Sequence, residues 1–488
     1  MRQAEDLIIT QVDLLIVGAG PAGMAAAVEA RKHGLDVLLV DEQPSPGGQI
    51  WRSVEAGEGR DDILGSAYFE GRDVSKAFRA CGAGYLPNAQ VWQVDRGFRV
   101  LLTSQGQPQI LEAKTVLLAS GAQERPVPFP GWTLPGVLTV GAAQILLKNA
   151  GQIPVEPVWI AGSGPLPLLY AVQLLRAGGR IAGYLDTAPA GNWRAGVVYL
   201  PGALRSARDL IKGLGWSAVL RKQVKMVRHV TSIEATGADH IESLRYKVRG
   251  GPDVVVPAQL LLVHEGVVPN IHPALSLGCA VSWNSAQHCF APQVDGWGET
   301  SVENLFIAGD GAGIAGAKAA QLRGTLAAIR ISTKVGRLDH SAANGLAGEV
   351  RTRLRKELAI RPFLDALFPP RAQIFQPADA TIVCRCEEVT AGEIRSAAAV
   401  GCPGPNQIKA ATRAGMGPCQ GRQCGYTVTR ILADVQGRAP AEVGFFNIRP
   451  PLKPVTLGEL AALAGRSTGD NQGLFEDTIG SADPHVVE

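Results

Sequence analysis

Apolar and polar positions in this chain switch repeatedly between the period of a strand and that of a helix. Residues 13–17, Asp-Leu-Leu-Ile-Val, form a strand-sized run that meets a glycine-rich turn. Small and apolar residues then recur at helical spacing from about Ala22 to His33, Gly34 ends the helix, and Leu35 to Val40 reads as a second strand. The order strand, turn, helix, strand is a βαβ unit. It recurs from Pro157–Ala161 through a turn, a helix over about Leu166–Arg176 and a strand near Arg180–Leu185. Two such units predict parallel sheets covered by helices.

The turns carry the first chemistry. In Gly18-Ala19-Gly20-Pro21-Ala22-Gly23, Gly18 permits the tight turn, Gly20 lets the backbone approach a pyrophosphate, and Gly23 lets helix and strand pack closely. Asp41 ends the second strand about 20 residues on, where a carboxylate can accept from ribose hydroxyls. These features together predict a dinucleotide site. The second turn, Gly162-Ser-Gly164-Pro-Leu-Pro167, has proline in place of the third glycine, and Asp186 stands in the ribose position. With no arginine immediately beside Asp186 for a 2′-phosphate, NAD is favoured over NADP there. Another adenine nucleotide, or no occupant at all, stays open.

Length and composition limit the rest. The 488 residues suggest two or three domains. The 58 Gly and 32 Pro fall beside strand-like runs and mark turns rather than disorder. A formal charge of +3 with no long basic stripe argues against nucleic-acid binding. Apolar runs such as Leu14–Val17 and Val116–Ala119 fall far short of the roughly 20 residues of a membrane span. The first six residues include acidic ones, no secretory leader is recognisable, and a reducing cytoplasm is expected; peripheral contact with the inner membrane is left open.

Cysteines supply the second chemistry. Cys384 and Cys386 are followed, after 32 residues, by Cys419 and Cys424. Four thiolates in two close pairs suit an all-cysteine [2Fe–2S] cluster. Structural zinc is the rival, although Cys-x-Cys is tighter than the usual zinc spacing. Thr390-Ala-Gly-Glu393 reads as a capping box opening a helix, and a second helix, about Asn406–Ala414, ends at Gly415. The glycines of 415–425 can turn amides onto sulfur, and Lys409, Arg413 and Arg422 can offset cluster charge. Cys81, Cys279, Cys289 and Cys402 are isolated and read as small buried hydrophobes. No redox-active Cys-x-x-Cys is present. No catalytic residue is assigned, His264 included.

Several segments resemble known families. Glu303-Asn-Leu-Phe-Ile-Ala-Gly-Asp310-Gly with the helix after it, Pro46-Gly47-Gly48-Gln49, and Leu117-Leu-Ala-Ser-Gly121-Ala resemble the second flavin fingerprint, flavin-contacting loop and crossover signal of two-dinucleotide-domain flavoproteins. The resemblance implies FAD, with Asp310 on the ribityl chain and Gly48 and Gln49 in the flavin loop. Residues 384–424 resemble the bacterioferritin-associated-ferredoxin-like [2Fe–2S] domain. Joined to the flavoprotein module and to Asn447-Ile-Arg-Pro-Pro-Leu-Lys-Pro-Val455, they resemble the α (A) subunits of hetero-oligomeric dye-linked dehydrogenases. That family includes opine oxidase, D-hydroxyproline dehydrogenase, cyanide-forming glycine dehydrogenase and, more distantly, dye-linked L-proline dehydrogenase.

The resemblance implies a division of labour. Substrate is oxidised at the C–N bond on a separate FAD-containing catalytic β subunit. Electrons pass, in some members through an FMN at the subunit junction, to this chain and on to a quinone, dye or respiratory acceptor; some members add a small ferredoxin-like γ subunit. Arg52 is a candidate for a junction phosphate, with a structural role as the plainer reading. The alternative is a self-sufficient NADH-dependent reductase holding NADH on Gly162, Gly164 and Asp186. The expected fold is α/β: two dinucleotide-binding, Rossmann-like domains followed by a small, mainly α-helical [2Fe–2S] domain. Expected boundaries are 1–125 plus 286–335 for FAD, 126–285 for the NAD-like domain, 336–375 for a helical linker containing a charged helix over about 344–359, 376–435 for the cluster, and 436–488 for an extended tail. That tail is expected to lie on a neighbour, with disorder or partner-induced order after about Arg466.

Overall fold

The computed structural model describes residues 10–56 and 60–464. The acidic N-terminal residues and the segment after Arg466 lie outside the described residues. In the first βαβ unit, strand Thr10–Val17 leads to helix Pro21–Lys32 and strand Val37–Val40. Pro21 occupies the first helical position, where its missing N–H costs no hydrogen bond.

Strand Thr10–Val17 pairs in parallel with Val37–Val40 on one side and with the long strand Gln107–Leu118 on the other. The latter serves two partners along its length. Residues 107–112 pair antiparallel with Arg99–Ser104, whereas Val116–Leu118 pair in parallel with Leu305–Ile307. Through that last strand the chain returns, nearly 200 residues later, to the sheet where it began. Helix Ala317–Lys334 then packs across Pro21–Lys32. At Gly324 a Cβ would lie 2.1 Å from the Ala22 carbonyl oxygen, so no larger residue fits this crossing.

The second unit builds a five-stranded, all-parallel sheet. Val158–Gly162 lies between Ile181–Asp186 and Leu261–His264, with Met226–Arg228 and Val137–Thr139 at the edges. Its central strand is buried throughout, as expected where helices cover both faces. A three-stranded antiparallel sheet, Val230–Thr236, Ser243–Val248 and Asp253–Pro257, is appended to it.

After His264 the chain crosses back. Val267–Pro269 pairs with Ala122–Glu124, and Ala274, Leu277 and Cys279 join the core of the first sheet. Helices His340–Leu358 and Arg361–Leu367 follow, the first capped by the Asp339 carboxylate on the amides of Ser341 and Ala342. The last part is helical around a two-stranded ribbon, Ile382–Cys384 with Val389–Thr390. Its helices are Ala391–Ala399, Pro405–Thr412 and Gly425–Gln436.

The described part of the tail differs from the expected extended arm on a neighbour. It folds back onto its own chain. The Leu452 amide donates to the Trp92 carbonyl at 2.6 Å, Lys453 pairs with Glu42 at 2.9 Å, and the tail closes in helix Leu457–Ala464. Among the described residues, no helix is long and apolar enough to cross a membrane.

Candidate functional site

Four glycine-bearing segments converge at the C-terminal edge of the first sheet. A Cβ on Gly18 would lie 2.5 Å from the Ala119 carbonyl oxygen, and one on Gly23 would lie 1.9 Å from that of Gly18. Gly48 lies against Gly20, where a Cβ would approach the Gly20 Cα to 2.9 Å, and the Gly47 amide donates to the Ala19 carbonyl at 2.8 Å. Gly309 abuts Ala22, and Gly311 faces the Gly121 carbonyl oxygen. The result is a cradle walled by bare backbone at a helix N-terminus, suited to a pyrophosphate. Beside it the Asn270 Oδ1 atom is buried without a hydrogen-bond partner, while the Asn270 amide donates to the Gly121 carbonyl at 3.0 Å.

The carboxylates in this cradle also hold backbone. Asp41 accepts from the amides of Ala19 and, at 2.7 Å, Gln43, fixing the glycine turn. Burial raises its pKa above the ordinary value despite those bonds. Asp310 accepts from the amides of Ala315 and Gly316 at 2.8 and 3.0 Å, shaping the loop before the long helix. Arg52 directs its guanidinium to the side chains of Gln43 and Gln49, a structural arrangement.

The second turn has a different chemistry. Gly162 must be glycine, because a Cβ would lie 2.2 Å from the His264 carbonyl oxygen, and Gly164 has φ +101°. Asp186 pairs in register with Gly162 and accepts from the Ala188 amide at 3.0 Å; burial raises its pKa. Helix Pro165–Arg176 begins here with prolines at its first and third positions. Pro165 stands where Pro21 does in the first unit, but Pro167 removes a further amide from the start of this helix. His264 instead pairs with Glu124 at 2.7 Å.

In the helical C-terminal part, the four cysteines come together in two pairs. Cys424 lies beside Cys384 and Cys386 beside Cys419, while among the described residues no three potential ligands are grouped so as to hold a single metal ion. Cys384 is buried, yet the Cys424 thiol and the amides of Gly415, Glu387 and Cys386 together bring its pKa down to about 6. A sulfur surrounded by donors suits a thiolate ligand, and paired cysteines suit the two irons of a [2Fe–2S] cluster. The capping box at Thr390 and Glu393 forms with both reciprocal bonds. Of the three flanking cations, Arg422 turns its guanidinium to the carbonyls of Cys419 and Leu452, at 3.3 and 2.9 Å, and Arg413 pairs with Glu387. Among the described residues no side-chain bond places Lys409 in this group, although its carbonyl accepts from the Arg413 amide.

Other residues of this site have no counterpart among the sequence expectations. Phe446 fills the space under the loop, where a Cβ on Gly421 or Gly415 would approach its ring to 2.5 or 2.9 Å; Phe445 does the same below Gly425. Trp132 donates its indole N–H to the Ile382 carbonyl at 2.7 Å, His272 lies 3.0 Å from the Gln420 carbonyl, and Gln123 donates to the Arg422 carbonyl at 3.1 Å. Desolvation brings the His272 pKa down to about 3, which keeps the ring neutral.

Gly417 faces a cysteine directly: a Cβ there would fall 2.2 Å from the Cys386 Cβ. If the four cysteines hold a cluster, replacing Gly417 with Val is expected to displace Cys386 from the loop that carries Cys419 and Cys424 and to abolish the cluster's visible absorbance. Flavin absorbance should persist, because the atoms that a Cβ at Gly417 would meet belong to Cys386 and Glu387 and not to the nucleotide cradle. Retention of both signals would show that the loop tolerates the displacement.

Comparison with known proteins bears on the whole arrangement. Residues 12–324 match the pyridine nucleotide-disulphide oxidoreductase family, and residues 379–464 match the sarcosine oxidase A3 domain. The chain is 43% identical over 462 residues to the A subunit of opine oxidase from Agrobacterium tumefaciens (strain Ach5), covering 92% of each. It is 32% identical over 461 residues to hydrogen cyanide synthase subunit HcnB of Pseudomonas protegens, covering 90% of this chain and 96% of the relative. The fold is shared with the L-proline dehydrogenase from P. horikoshii, with a TM-score of 0.69 and 21% identity over 92% of this chain and 79% of the other. With its nucleotide cradle, paired cysteines and near full-length similarity, the chain belongs to the pyridine nucleotide-disulphide oxidoreductase family, in the flavoprotein group that includes the A subunit of opine oxidase.

Proposed function

We propose that this chain is the electron-transfer subunit of a hetero-oligomeric dehydrogenase. Its glycine cradle would hold FAD and its four cysteines a [2Fe–2S] cluster. Oxidation of an opine, D-hydroxyproline or a related amino acid or secondary amine would occur on a separate FAD-containing β subunit. The proposal extends to an FMN at the subunit junction, a small γ subunit, a quinone, dye or respiratory acceptor, and the domain boundaries given above.

The observation that carries this reading is the joint between the two sites. Gly121 faces Gly311 in the nucleotide cradle, and two residues later Gln123 bonds to Arg422, between Cys419 and Cys424. One short segment thus touches both sites. A flavin supplies conversion between paired and single electrons, and an iron–sulfur cluster supplies single-electron carriage. The chain's own part is to hold the two sites in fixed register: Gln123, His272 and Trp132 pin the cysteine loop and ribbon from outside, and Phe445 and Phe446 fill the space beneath. Buried apolar side chains here also exclude water from Cys384 and Cys424.

The self-sufficient NADH reductase is disfavoured by Pro167, which removes an amide that the first site, with only Pro21 at its helix start, retains. Anaerobic titration separates the two readings. NADH should leave the flavin absorbance of the purified chain unchanged, whereas an opine or amino-acid substrate should bleach it once the co-expressed β subunit is present. Stoichiometric bleaching by NADH alone would overturn the subunit reading in favour of the reductase.

A further inference from the structure

The second sheet carries a helical excursion unlike the rest of the surface. From Thr187 through Arg228 there are eight Lys and Arg and a single acidic residue, Asp209, although the whole chain has 47 basic against 44 acidic residues. No run of consecutive charge marks the segment, so a linear scan passes over it. The same segment also exposes apolar side chains. Trp193 and Val198 are 59% and 73% exposed in and just after helix Asn192–Val197, and Leu204 is exposed just beyond.

Helix Ala207–Gln223 packs one face inward, burying Leu220 and half-burying Leu210 and Trp216. Its outer face repeats Ala207, Ile211, Leu214 and Ala218 at spacings of four, three and four, which aligns them in one stripe. Ile211 and Leu214 are 67% and 68% exposed. At 100° per residue, Arg221 flanks this stripe on one side and Arg208 and Lys222 flank it on the other. Lys212 reaches Asp209 at 3.7 Å; among the described residues no ion pair engages Arg194, Arg205, Arg208, Arg221, Lys222 or Lys225.

We infer that this face docks on an anionic lipid surface. An apolar stripe edged by unpaired cations matches the boundary between acyl chains and phosphates: the aliphatic side chains enter while the long basic side chains reach back to the headgroups. Trp193 and Tyr199, each with an apolar body and a polar tip, are also exposed in this segment and are of the kind enriched at such interfaces. A nucleic acid would use the cations and leave the stripe wet. A protein helix would cover the stripe but would have to neutralise cations on both flanks. With no spanning helix among the described residues, the contact is peripheral. It would bring the chain beside lipid-soluble electron acceptors, though the docking itself does not rest on the relay reading.

Sedimentation with phosphatidylcholine vesicles, with and without phosphatidylglycerol, tests the inference on the full chain and on its co-expressed complex. Both should sediment with the anionic vesicles, remain in solution with the neutral ones, and be released by high salt. Arg208→Glu/Lys222→Glu should lower anionic-vesicle partitioning by at least tenfold, since each basic residue near such a surface is worth about fivefold. Ile211→Glu/Leu214→Glu should do the same without changing flavin absorbance, because both positions face solvent. Failure of the parent chain to bind, or binding indifferent to both pairs, would overturn the inference. So would binding by the chain alone that disappears in the complex, which would mean that a protein subunit covers the stripe. Vesicle binding is read separately from flavin bleaching, so this inference and the relay can fail independently.

Discussion

Glu265→Leu is expected to destabilise the chain by about 3–5 kcal/mol, and Arg371→Met by a similar amount, whereas the double variant should recover most of the loss. Glu265 follows the strand Leu261–His264 and is 2% exposed; Arg371 precedes the cysteine-bearing part and is 3% exposed. The carboxylate meets the Arg371 guanidinium at 3.2 Å and accepts from the Arg371 amide at 3.3 Å. Burial raises the pKa of the glutamate and lowers that of the arginine, so each charge is costly without its partner. Removing one partner strands the other in a medium that solvates it poorly. Removing both replaces two desolvated charges with apolar packing. Urea unfolding of the four proteins closes a double-mutant cycle. If the double variant is less stable than both singles, isolated desolvation is not the main cost. Because Arg371 leads into the ribbon that carries Cys384, the single variants should also weaken the seating of the cysteine part on the second sheet.

The two βαβ units were legible because their signals are local. Strand, turn and helix periods lie within about 30 residues, and the glycines identify themselves by spacing. The cysteine pairs were legible for the same reason. What holds these pieces against one another was not: Gln123 meets Arg422 across 299 residues, and Trp132 meets Ile382 across 250. Nothing in either local sequence specifies such a partner. Phe445 and Phe446 had a weak signal, since Gly415, Gly421 and Gly425 mark backbone that something must approach closely. The tail helix had a clearer one. Thr456 and Glu459 form the same reciprocal bonds as Thr390 and Glu393, a capping box equally visible in sequence but set among prolines that suggested an extended arm. Asp41 illustrates another limit: spacing gives the carboxylate its place, while only folding reveals that Ala19 and Gln43 already use both oxygens.

Lys148 should make the stability of the chain rise with pH in a range where most lysines are silent. The residue is 4% exposed, and its amine donates to the carbonyls of Gln49 and Ile50 at 3.1 and 3.0 Å. No carboxylate pairs with it. Burial, aided by the positive charge of Arg52, brings its pKa down from 10.5 to about 7. Between those values the unfolded chain binds a proton that the folded chain does not, so folding becomes more favourable as pH rises and loses that advantage as pH falls to 7. Lys148→Met removes the titration, and groups common to both proteins cancel in the difference. Wild type minus variant should therefore increase by about 1.4 kcal/mol per pH unit above pH 7, approaching about 4–5 kcal/mol near pH 10.5. Urea unfolding across that range measures it; parallel profiles would mean that the amine stays protonated in the fold. The effect bears on function because the carbonyls that Lys148 holds lie one and two residues beyond Gly48, in the loop that closes the nucleotide cradle. Arg60 binds the Leu147 and Lys148 carbonyls at 3.0 Å, so this helix end is gripped from both sides. Lys148→Met removes both bonds to that loop, so flavin release should be faster in the variant than in the wild type.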